Sequence, residues 1–100
     1  MKKIEIIIKN ENLDALKKIF AECDTYDFMI SNIKNYNNQK AYNKIFRGNL
    51  YNVDLLRKVK VEAVVDAVVA QLIINKVLKE INDGIYEDGK IYISNIENVV

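Results

Sequence analysis

One hundred residues, half of them hydrophobic and 29% charged, suit one domain with a single modest core and exclude a disordered or low-complexity chain. A net charge of +1 excludes a global basic field for nucleic acid or membrane. One cysteine and no histidine exclude an intrachain disulfide framework and ordinary zinc sites, and they remove the commonest general base.

The chain opens with MKKIEIIIK. Glu5 and Lys9 interrupt its apolar run, so it does not read as a signal peptide. No apolar stretch approaches the ~20 residues needed to span a bilayer, and the expected location is cytoplasmic. Ile4, Ile6 and Ile8 alternate with Lys3, Glu5 and Lys9, the pattern of a half-buried strand over residues 2–9. Asn12 is placed to cap a helix, with Asp14 in its first turn, and Leu13, Leu16, Ile19, Phe20 and Cys23 follow helical spacing. Cys23 reads as a small core hydrophobe on that helix. A second strand fits residues 26–35, with Phe28 and Ile30 on one face.

Residues 36–54 have no sustained period. Alternation resumes with Val59, Val61, Ala63 and Val65 against Lys58, Lys60 and Glu62. Asp66 is placed to cap a second helix, whose stripe is Ala70, Ile73, Ile74, Val77, Leu78 and Ile81. Asn82-Asp83-Gly84 supplies a helix stop, YEDGK a glycine turn and KIYIS a final strand. The order β-α-β-β-α-β predicts an α+β, ferredoxin-like domain over 1–100: an antiparallel sheet, two helices on one face, and a long loop between strands 2 and 3. The other face carries Lys3, Glu5, Lys9, Lys58, Lys60 and Glu62, and it can meet solvent or subunit partners.

Charge is unevenly placed. Residues 34–60 hold Lys34, Lys40, Lys44, Arg47, Arg57, Lys58 and Lys60 against Asp54 alone, which favours anionic ligands. On their own, Lys58 and Lys60 also fit the solvated side of a strand, EDGK an ordinary turn, and Tyr51 an exposed loop tyrosine.

Four stretches narrow the choice: MKKIEIIIK at 1–9, QK at 39–40, FRGNLYNVDLLRKVKVE at 46–62 and DGKIYIS at 88–94. Together they resemble the nitrogen regulatory PII signal proteins over nearly the whole chain. The run RG-x-x-Y-x-VD-x-L-x-KVK followed by DGKI is specific, whereas either piece alone is weak. The resemblance implies a non-enzymatic sensor and adaptor, a homotrimer with ATP or ADP in clefts between subunits, and Mg and 2-oxoglutarate as further effectors. It makes 36–54 the T-loop that engages a target, such as an ammonium channel or a metabolic or signalling enzyme. By the same resemblance, Gln39 helps hold Mg and 2-oxoglutarate, and Lys58 pairs with the 2-oxoglutarate carboxylate. Val64 lines the adenine pocket, and Asp88, Gly89 and Lys90 form the loop that approaches phosphate. Tyr51 matches a tyrosine that is modified in some lineages or touches the target.

The match has departures. Asn38 stands for the arginine of the family's RQK, and Asn35, Asn37 and Ala41 for glycines at the loop entry. Glu87 replaces a glycine beside the phosphates, and Asp27-Phe28-Met29 replaces Gly-Met-Thr. The family's phosphate-gripping R-x-R pair has no counterpart up to Val100. These departures keep open an alternative, a PII-like adaptor without nucleotide binding. Two other classes fit less well. RGNLYNV lacks the aromatic and small residues of an RNA-binding RNP1 motif at Asn49 and Leu50, and no glycine-rich phosphate loop follows the first strand as an acylphosphatase-like enzyme needs.

Overall fold

The computed structural model describes residues 1–33, 58–81 and 90–100. Alternating β-branched residues set its sheet, because such side chains pack well on a pleated surface. Strand β1 spans Lys2–Lys9, β2 Met29–Ile33, β3 Lys58–Val65 and β4 Lys90–Asn95. They form one antiparallel sheet in the order β2-β3-β1-β4, with β1 hydrogen-bonded to both β3 and β4. A 3₁₀ turn, Asn10–Asn12, leads from β1 into helix α1, Leu13–Glu22, while helix α2, Ala67–Glu80, follows β3. This is the ferredoxin-like α+β plan expected from the element order.

The core lies between the helices and one face of the sheet. Ile4, Ile6 and Ile8 of β1 and Val59, Val61, Ala63 and Val65 of β3 are buried there. Leu16, Ile19 and Phe20 of α1 meet them, as do Ala70, Ile73, Ile74 and Val77 of α2. Those positions recur every three or four residues, so each helix buries one stripe. The Phe20 ring packs edge-on against Phe28, with centroids 5.0 Å apart and planes at 84°. Ile81 is buried immediately after α2.

Helix α1 ends in a Schellman arrangement. The Thr25 N–H donates to the Phe20 carbonyl at 2.9 Å and the Asp24 N–H to the Ala21 carbonyl at 3.0 Å, with Asp24 at φ 54°. The Thr25 hydroxyl donates to the Cys23 carbonyl, which satisfies a buried polar group. Cys23 caps the helix and packs against the core, and burial pushes its thiol pKa up. At the other edge, the Lys2 ammonium donates to the Asn95 side chain and the Ile96 N–H to the Met1 carbonyl, fastening β4 to β1.

Several expectations are corrected. Asn12 and Asp66 stand at the N-cap positions, but neither side chain makes a cap hydrogen bond. The preceding 3₁₀ turn is closed by the Leu13 N–H on the Asn10 carbonyl, and at Asp66 the backbone carbonyl accepts from the Ala70 N–H. Strand β2 begins at Met29 rather than residue 26. Phe28 packs on the core, while Ile30, opposite Val61 on an edge strand, stays exposed. Leu78 is exposed as well. It follows Ala70 by eight residues, which at 100° per residue carries it about 80° off the stripe. The expected stop at 82–84, the turn at 86–89 and the T-loop at 36–54 lie outside the described residues.

Candidate functional site

Because side chains alternate across a strand, burying Val59, Val61, Ala63 and Val65 forces Lys58, Lys60, Glu62 and Val64 onto the opposite face, away from both described helices. The antiparallel register then decides their neighbours. Lys58 lies opposite Lys9, Lys60 opposite Ile7, Glu62 opposite Glu5 and Val64 opposite Lys3. On the far side of β1, Lys90 lies opposite Ile7 and Tyr92 opposite Glu5. On the outer side of β3, Met29 lies opposite Glu62 and Ser31 opposite Lys60.

This open face has two electrostatic districts. At one end Lys9 and Lys58 face each other, and Lys90 lies one step nearer the middle, opposite Ile7, so that positive charge spans three adjacent strands. In the middle, the facing carboxylates of Glu5 and Glu62 are held by two lysines. Lys3 Nζ lies 3.3 Å from Glu5 Oε1 and 3.9 Å from Glu62 Oε1, and Lys60 Nζ lies 3.0 Å from Glu62 Oε1. The hydrogen bond from Lys60 holds the Glu62 carboxyl below the usual glutamate range, aided by the charges of Lys60 and Lys3 and opposed by desolvation. The same bond pushes the Lys60 pKa up. Apolar groups border the cluster: Ile7 is half-buried, whereas Val64, Tyr92 and Met29 are 41%, 49% and 65% exposed.

Of the candidate effector residues, Lys58, Val64 and Lys90 are described, and all three lie on this face. Lys58 and Lys90 stand on either side of β1, opposite Lys9 and Ile7 respectively. Val64 does not join them. It lies six positions along β3 from Lys58, about 20 Å at ~3.3 Å per residue. The ion cluster occupies the strand between them. Gln39, Tyr51, Asp88 and Gly89 lie outside the described residues, as do the departures at Asn38 and Glu87. Sequence reading missed Ile7, Met29 and Tyr92 as members of the face. Ile7 carried a signal, since it is the one isoleucine of IEIII at an odd position.

The arrangement can attract an anion at the lysine end and pack an apolar ring at the Val64 end. Comparison with known proteins agrees with the sequence resemblance. The profile of the family described as nitrogen regulatory protein P-II matches residues 1–100. Proteins named nitrogen regulatory protein P-II from Mesorhizobium japonicum and Rhizobium meliloti are 39% and 38% identical to the chain; in each, the match covers 100% of this chain and 89% of the relative. The nitrogen regulatory protein P-II 1 of Escherichia coli is 32% identical over the same shares. With a family match along its entire length and relatives of this identity, the chain belongs to the nitrogen regulatory protein P-II family.

Proposed function

We propose that this P-II family chain is a non-enzymatic cytoplasmic regulator that senses adenine nucleotide as a homotrimer. It answers by controlling a partner protein of nitrogen metabolism through residues 36–54. In this reading Lys90, with Asp88 and Gly89, meets the phosphates, Val64 meets the adenine, and Lys58, with Gln39 and Mg, meets 2-oxoglutarate. Tyr51 serves as a modification site or partner contact.

The observation that carries the reading is the separation on the open face. A nucleotide reaching from Val64 to Lys58 and Lys90 within one chain would lie across Glu62 and Glu5, and phosphate beside carboxylate is unfavourable. A second copy presenting its own Val64 beside the first copy's lysines avoids those carboxylates. That favours ligand sites shared between copies. The bordering apolar groups, Val64, Tyr92 and Met29, favour a face that other copies cover.

A second reading, an adaptor that has lost nucleotide binding, is favoured by Asn38 and Glu87. Each lost charge-assisted hydrogen bond is worth about 1.5–3 kcal/mol, roughly tenfold or more in affinity. Titration calorimetry of the full chain with ATP, ADP and AMP, with and without Mg and 2-oxoglutarate, separates the two. Saturable heat with ATP or ADP, weakened tenfold or more by Lys90→Ala, is the expected result. No heat with any of them would leave only the adaptor.

A further inference from the structure

We propose that the Lys3–Glu5–Glu62–Lys60 cluster is a self-recognition key: it lets the open sheet face admit further copies of this chain and reject faces whose charges differ at these positions. The inference rests on the homotrimer reading above and adds what makes that assembly selective.

The cluster is an unusual thing to place at the centre of a face that neither described helix covers. Glu5 and Glu62 are direct cross-strand partners, and like charges there are unfavourable by themselves. Lys3 and Lys60 offset them, and Glu62 Oε1 receives both ammonium groups. The result is two positive and two negative charges, balanced within one chain. The Glu62 side chain is only 15% exposed although no described helix lies over this face, so part of its water is already gone. Covering it further therefore costs less than burying an isolated charge.

The apolar groups around it, Ile7, Val64, Met29 and Tyr92, supply burial without direction. Any apolar partner would satisfy them. The charges supply the discrimination. Each ammonium has three donors and each carboxylate about four acceptor sites, so the pairs within a chain leave capacity for pairs between chains. Along the open face β3 reads Lys60 then Glu62, and β1 reads Lys3 then Glu5. A copy offset by one side chain sets the lysine of one cluster against the glutamate of the next, so the occupant whose charges fit is another copy. A face with another pattern would bury an unpaired charge, which is the repulsive element that selectivity needs. Among the other charged groups of the face, Lys90 stands across Ile7 from Lys60 and adds an ammonium at the cluster's border, and Lys9 and Lys58 lie one step further along. The remaining register partners, Met29, Ser31 and Tyr92, have uncharged side chains.

The test compares three full-length chains by sedimentation velocity from one to a hundred micromolar: wild type, Glu62→Lys, and a fourfold inversion, Lys3→Glu with Glu5→Lys, Lys60→Glu and Glu62→Lys. Circular dichroism establishes that each is folded. Wild type is expected to sediment as a closed oligomer, and Glu62→Lys to need at least a hundredfold higher concentration to assemble. The inversion should assemble with itself but give no mixed oligomers with tagged wild type in native mass spectra after a denaturation–refolding mix. If the inverted chain does not fold, Glu62→Gln replaces it, with an expected intermediate loss. A wild-type chain that is monomeric throughout overturns the homotrimer reading and this inference with it. An assembled wild type whose Glu62→Lys variant assembles equally well, or mixes freely with it, overturns this inference alone.

Discussion

The two faces of the sheet are built from the same strands and differ only in the parity of their residues. On one side Ile4, Ile6, Ile8, Val59 and Val61 disappear beneath two helices. On the other, Lys3, Glu5, Lys60 and Glu62 hold one another in a net of ion pairs, with Val64, Tyr92 and Met29 left exposed beside them. A single alternating pattern therefore builds a buried apolar face and a charged one bordered by exposed apolar groups. Because the side-chain period is two, a one-residue slip would exchange them, and the register is strongly specified for that reason.

The largest effect should come from the folding face. Phe20→Ala removes a fully buried ring and its edge contact with Phe28, and should cost about 3–5 kcal/mol in urea unfolding. A loss below about 1 kcal/mol would mean that the helix-covered face is not the core. A smaller effect should appear in acid. The Glu62 pKa is lowered in the folded chain, so its contribution is fully present above the ordinary glutamate value, about 4.3, and is lost as pH falls through the lowered one. Urea midpoints at pH 7, 5 and 3 should fall across that last interval, and less steeply in Glu62→Gln. An identical fall in both chains would assign the acid sensitivity to other carboxylates. The smallest effect should be Tyr92→Ser on the open face. In dilute, unassembled chain it should shift unfolding by less than about 0.5 kcal/mol, since the ring is half exposed and covers no core residue. A cost of several kcal/mol would erase the distinction between the two faces.

Legibility in the sequence followed this division. Strands β1 and β3 were readable because burial on one side enforces alternation. Strand β4, an edge strand with only Ile91 partly buried, was readable from KIYIS after the glycine turn, and the bounds of all three fell within a residue or two of expectation. Strand β2 was harder to bound. It is an edge strand whose residues are exposed on both sides, so nothing in MISNI has to alternate. The caps were misread because a residue type suited to capping is not obliged to cap. Asn12 follows directly on a 3₁₀ turn and makes no side-chain cap bond, and at Asp66 the backbone carbonyl accepts from Ala70 while the side chain makes none. Lys58, Val64 and Lys90 came from family resemblance. Their spacing could not show that Lys58 and Lys90 flank β1 together while Val64 lies at the far end. That placement depends on the order β3-β1-β4, which residue spacing along the chain does not contain.

The open face is proposed above as a contact surface between copies of this chain. Equilibrium sedimentation of the wild-type chain at tens of micromolar, neutral pH and moderate salt tests it most directly. A single species of three times the 11.6 kDa chain mass is expected. A single species at the mass of one chain would contradict it.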